Sequence, residues 1–156
     1  MSGIIAQNII DNSGLIKAPA GGGAWNFISK LTASSSATLA FTSGLDSTYK
    51  EYFFTFVNIH PETADADFEF QANVSGQSGY NETITSTGFQ AYHNEGDSAA
   101  GYAFDTGVSL GQATEGQEII KNCGADSDDG HAGFLHLFNP SDTTFATYFI
   151  GKGSSH

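Results

Sequence analysis

Apolar and polar residues alternate along most of this chain, and a period of two belongs to strands rather than helices. In "ADFEFQANV" (66–74), Phe68, Phe70, Ala72 and Val74 alternate with Asp67, Glu69, Gln71 and Asn73, which predicts a strand with one buried face. "SATLAFTS" (36–43) repeats the pattern through Ala37, Leu39 and Phe41. "YFFTFVNI" (52–59) is apolar on both parities, so it predicts a central strand covered on both faces. "AWNFISKL" (24–31), "ETITSTGFQAYH" (82–93), "GFLHLFNP" (133–140) and "TTFATYFI" (143–150) complete the predicted set. The last two are split by the turn former "NPSD", where Pro140 cannot continue a ladder. "TEGQEIIKN" (114–122) fits a helix or a strand equally well.

"SGLDS", "HPETAD", "SGQSGYN", "NEGDSAAG" and "GADSDDG" lie between these runs and carry turn chemistry. Short aromatic strands at regular spacing predict an all-β fold, an antiparallel β-sandwich of jelly-roll type. The expected domain spans 24–156, with no internal repeat. Trp25 shares its parity with Phe27 and Leu31 and is expected in the core.

The opening stretch, "MSGIIAQNIIDNSGLIKAPAGGGAW", does not fit that domain. Ile4, Ile5, Ile9, Ile10, Leu15 and Ile16 make it too apolar for a solvated linker. It is also too polar to cross a membrane, which takes about 18 apolar residues in a row. Residues 1–23 therefore read as an extended arm that docks on a partner, with Pro19 and Gly21–Gly23 as the joint. A secretory leader needs a basic start and an unbroken apolar core, and neither is present, so synthesis and folding in a cytoplasm are expected.

Charge narrows the partners further. The formal net charge is −12, from 17 acidic residues against 5 lysines and no arginine. Phosphate backbones and anionic lipid surfaces both require clustered cations, so nucleic acid and membrane insertion are excluded as expectations. The 13% aromatic content suits a packed core rather than a disordered acidic tail.

Candidate chemistry is sparse. Asp126, Asp128 and Asp129 crowd into "GADSDDGHAG", but the EF-hand spacing fails, with glycine one place early and Leu137 where a glutamate belongs. A solvated acidic turn is the favoured interpretation there, and a calcium site the weaker one. His131 and His136 are five apart, which puts them on opposite faces of a strand. His136 is expected as a hydrogen-bonded sheet-face or core histidine, and His60, before Pro61, belongs to a strand end. No nucleophile elbow or phosphate loop occurs, and Cys123, the only cysteine, is expected to be buried. No catalytic residue and no cofactor are expected. Tyr80, Tyr92 and Tyr102 are the candidates for a sugar-stacking platform, against the plainer view that they pack the core margin.

The segments "MSGIIAQN", "SGLIKAP", "GGGAW", "LTASSSATLAF", "LDSTYKEYFFTFVNIHPETADADFEFQ" and "LFNPSDTTF" resemble a group of virion-associated proteins from tailed phages of marine bacteria and cyanobacteria. The resemblance covers nearly the whole chain. It implies a phage structural protein, a head decoration or tail-fibre component, that carries a β-sandwich body and no catalytic residues. It also implies capsid or tail proteins as partners, a homo-oligomer such as a trimer, and residence in the virion. Similar proteins continue past the position of "FATYFIGKGSSH" with further strands. Either this is a shorter member or those strands are missing, and "TTFATYFI" is then an edge that another chain covers. The competing expectation is an adhesion module whose aromatics recognise a host-surface glycan.

Overall fold

The computed structural model of the chain describes residues 25–155. The arm residues Ile4, Ile5, Ile9, Ile10, Leu15 and Ile16 lie outside the described residues. The chain divides into two compact units, Met1–Gly44 and Leu45–His156.

In the first unit, residues 25–44 contain no helix or strand. The strands predicted at 24–31 and 36–43 are therefore absent there. Alternation gives those stretches an amphipathic surface, but a strand also needs an edge to pair with. Trp25 is 62% exposed and so does not enter a core, contrary to expectation. Gly44 has φ +85°, and a Cβ there would meet Ile28 Cγ2 at 2.6 Å, so this position requires glycine.

The second unit is all-β. Its strands are β1 (Glu51–Ile59), β2 (Ala66–Phe70), β3 (Ile84–Thr85), β4 (Phe89–His93), β5 (Ala100–Phe104), β6 (Gly111–Ala113), β7 (Gln117–Cys123), β8 (His131–Phe138) and β9 (Tyr148–Ser154). They form several antiparallel sheets that do not close into a barrel: β1-β8-β9, β2-β7, β3-β6 and β4-β5. Residues 117–122, ambiguous between helix and strand, pair with β2 as a strand.

The register of the three-stranded sheet fixes its two faces. Tyr52 lies opposite Leu137 and Leu137 opposite Phe149, and Phe54, Leu135 and Gly151 line up in the same way. This inner face is the buried one, with Tyr52 and Leu135 almost without exposure. The ring of Phe56 meets Phe68 of β2 at 4.8 Å, and Phe70 meets Phe149 at 5.0 Å, both edge to face. Ile120 and Cys123 of β7 complete this core. Along β9 the inner positions read Phe149, Gly151, Gly153, and the two glycines let β7 pass close over the strand.

Two departures from the sequence pattern matter. β1 is not a central strand covered on both sides, because β8 occupies the middle of the sheet and β1 an edge. The strand expected over 143–150 begins only at Tyr148. The Asp142 carboxylate accepts from the Thr144 and Phe145 amides at 2.7 and 3.1 Å, holding those residues in a turn. β9 forms the other edge of this sheet.

Candidate interaction site

The opposite face of the β1-β8-β9 sheet carries Glu51, Phe53 and Thr55 from β1, with Val57, at the register shift after Phe56, lining one end of it. From β8 it takes Ala132, Phe134, His136 and Phe138, and from β9 Tyr148, Ile150, Lys152 and Ser154. Along β1 the residues of this face are exposed, while Phe134, His136 and Phe138 of β8 are half-buried; this is the outer face, and it remains largely apolar. Val57 is 76% exposed, Tyr148 70% and Ile150 60%. Single exposed apolar residues are ordinary, whereas a contiguous apolar sheet face marks a contact surface. Phe53 stacks on Phe134 at 5.3 Å between ring centres and meets His136 edge-on at 5.6 Å. His136 Nε2 lies 3.3 Å from the Glu51 carboxylate. This histidine is thus the sheet-face residue its surroundings in "FLHLF" predict. Phe53, Val57, Phe134 and Lys152 line part of a shallow concavity of about 400 Å³ at one end of the face.

A second exposed aromatic surface lies on the β4–β5 hairpin. Phe89 faces Phe104 and Ala91 faces Tyr102, so Phe89, Tyr102 and Phe104 share one side. The rings of Phe89 and Tyr102 are 5.3 Å apart and tilted by 42°. His93 Nε2 approaches the Asp97 carboxylate at 2.9 Å near the hairpin tip.

The three candidate tyrosines are not brought together on this hairpin. Tyr92 lies opposite Gly101, hence on the other side of the hairpin from Tyr102, and its ring lies over that glycine. Tyr80 sits in a loop with φ 46°. Within one strand parity is readable, but relating two strands takes their register, which sequence does not supply. β5 itself was not among the predicted strands, since three of the five residues of "AGYAF" are glycine or alanine.

The acidic turn is held by its own atoms. Asp129 Oδ2 accepts from the Asp126 amide at 2.9 Å, the Asp129 amide donates to the Asp126 carbonyl at 2.9 Å, and His60 Nδ1 lies 3.1 Å from the Asp129 carbonyl. Among the described residues no group of three or more His, Cys, Asp or Glu side chains is placed to hold a metal ion. His131 is fully buried and its Nε2 donates to the Gly124 carbonyl at 3.0 Å. Cys123 is buried, and burial pushes its thiol pKa up, which keeps it protonated and unreactive.

A polar cluster lies on β7. Lys121 Nζ donates to both Asp105 oxygens at 3.2 and 3.1 Å and stands 3.9 Å from Glu118. Hydrogen bonds from the Gly107 amide and from Lys121 hold the Asp105 carboxyl below its ordinary range. Glu118 moves the opposite way: burial, then the negative charge of Asp67, raises its pKa, and Glu69 faces it directly across the β2–β7 ladder. Such a cluster ties the β5–β6 connection to β7.

The geometry therefore defines an all-β protein with two solvent-facing aromatic surfaces. No family model matches the chain, and comparison with curated proteins and with solved structures finds no match.

Proposed function

We propose that this protein is a structural subunit of a tailed-phage virion, a head decoration or tail-fibre component. It attaches through residues 1–23 and presents a β-sandwich of jelly-roll type outward. The resemblance of the segments from "MSGIIAQN" to "LFNPSDTTF" supplies the class of assembly. The observation that carries the reading is the apolar outer face of the β1-β8-β9 sheet, with Val57 76% exposed beside Phe53 and Ile150. An isolated domain has no use for such a face, whereas a subunit packed among neighbours does. Deleting residues 2–20 tests the arm: the body should stay folded while loading onto particles is lost. Normal loading of the truncated protein would show that the arm is not the attachment. Imaging the labelled protein on purified particles separates head from tail.

One observation favours a second reading, recognition of a host-surface glycan. Phe89 and Tyr102 offer an exposed aromatic step, and the His93–Asp97 pair lies nearby to engage hydroxyls. Retention of the protein on host polysaccharide, lost in Tyr102→Ala, would promote it above the structural reading. Binding unchanged in that variant would remove it.

A further inference from the structure

We propose that the outer face of the β1-β8-β9 sheet pairs with the same face of a second copy. Each copy's Glu51 then meets the Lys152 of the other. The inference deepens the assembly role proposed above and rests on that reading only for its purpose, since it concerns the purified protein alone.

Charge selects the occupant. The chain carries −12, so copies repel one another wherever acidic surfaces meet. The outer face is locally balanced: among its twelve positions are one carboxylate, Glu51, one ammonium, Lys152, and one histidine, His136. A foreign partner of either sign finds no excess charge here to recognise. A second copy finds both charges in complementary places.

The register makes the complementarity geometric. Glu51 lies in the row of Phe138 and Tyr148, and Lys152 in the row of Thr55 and Phe134. The two charges are therefore at opposite corners, two strands across and four residues along. Strand spacing and rise put them about 17 Å apart. The row midway between them on the central strand is that of His136, opposite Phe53 and Ile150. A two-fold axis lying in the interface and passing over His136, perpendicular to that diagonal, exchanges the two corners. One rotation thus brings both Glu51–Lys152 pairs together and sets the apolar side chains between them, as an isologous contact requires.

The outline of the face, three strands wide and seven residues long, is roughly 350 Å² per copy. Two copies together bury about 700 Å², below the roughly 1,200 Å² where standard specific interfaces begin, so the pairing is a weak, transient one and a concentration-dependent equilibrium. In an assembled particle, where copies are held side by side, a weak contact of this kind is enough.

Sedimentation velocity of the full chain over a range of concentrations tests this, with thermal melting to check that each variant is folded. The expected result is a monomer–dimer equilibrium that Val57→Lys and Ile150→Lys abolish. Glu51→Lys and Lys152→Glu should each weaken it about tenfold, because both contacts then oppose like charges. Combining the two exchanges in one chain should restore it. A protein that stays monomeric at every concentration overturns the proposal. So does a dimer indifferent to Val57→Lys, or single exchanges that the combined variant fails to rescue. An outer face protected from hydrogen exchange in a monomer, and exposed on removing residues 2–20, would assign it to the chain's own arm instead. None of these outcomes depends on particle loading, so failure here and failure of the virion assignment are distinguishable.

Discussion

The phenol of Tyr52 closes on both sides of one residue's backbone, donating to the Asp46 carbonyl at 2.7 Å and accepting from the Asp46 amide at 2.9 Å. Its ring is buried at the start of β1, so one side chain joins the core to the loop that leads into the sheet. Tyr52→Phe keeps the ring and removes both hydrogen bonds. Two partly buried backbone groups then lose their partner, and a loss of about 1–3 kcal/mol is expected in urea denaturation. Asp46→Ala should cost less, because the Tyr52 bonds use the backbone of Asp46 and survive the change.

Glu118 is the group that the fold holds against its preference. Burial and the neighbouring Asp67 raise its pKa, and Lys121 at 3.9 Å only partly offsets them. A carboxyl whose folded pKa lies above its unfolded one favours the folded state when protonated. That contribution is complete below about 4.5, the ordinary glutamate value, and is lost as pH rises through the folded value. Glu118→Gln should therefore raise the melting temperature at neutral pH and make little difference in acid. Asp105 has the opposite sign, because its pKa is lowered by the Gly107 amide and Lys121. Its contribution is present at neutral pH and disappears as pH falls below the usual aspartate range. Melting curves of Glu118→Gln and Asp105→Asn across that window should diverge in opposite directions from the parent.

Gly153 marks where two sheets touch. A Cβ there would run into the Ile119 carbonyl oxygen and the Ile120 side chain of β7, both parts of a packed strand that cannot swing away. Gly111, also in a strand, has open space where its Cβ would be. Gly153→Ala should destabilise by about 1–3 kcal/mol through overpacking, while Gly111→Ala is expected to be nearly neutral. Equal effects of the two substitutions would show that the β7–β9 approach is not tight.

How much of this was legible in the sequence depends on what each inference needed. β2 could be read because alternation within a strand depends only on neighbours in the chain, and β1 and β8 because short apolar, aromatic runs favour strands. "SATLAFTS" alternates just as cleanly and forms no strand, since nothing in a single segment reports whether an edge awaits it. The apolar outer face was present as a signal, in the apolar residues on both parities of "YFFTFVNI". Burial on both sides was the simpler explanation, and only the position of β1 at the sheet edge separates the two. How the tyrosine candidates lie relative to one another was illegible for a related reason. Tyr92 and Tyr102 sit on opposite sides of one hairpin because of the pairing of Tyr92 with Gly101, a relation between strands. His136 was readable because its immediate neighbours already describe its surroundings, and Cys123 because a lone cysteine without a partner is more often buried than reactive.

The β4–β5 hairpin depends on its turn more than any other element does. Its strands pair only with each other, and a lone hairpin is marginal without further support. Asn94 supplies much of that support. Its side-chain carbonyl accepts from the Ser98 and Ala99 amides at 3.0 and 2.9 Å, and its side-chain amide donates to the Ser98 hydroxyl at 2.8 Å. Its backbone amide reaches the Ala99 carbonyl at 2.9 Å, and Asp97, with φ 51°, returns the chain. Asn94→Ala removes the side-chain bonds and leaves the strands intact, so the global melting temperature should hardly move. Hydrogen exchange of the β4 and β5 amides should accelerate by about tenfold, the effect of losing roughly one net hydrogen bond from a local opening equilibrium. The Phe89–Tyr102 step depends on that register, so any ligand held there should bind more weakly in the same variant. Unchanged exchange in β4 and β5 would mean that contacts outside the turn hold the hairpin in place.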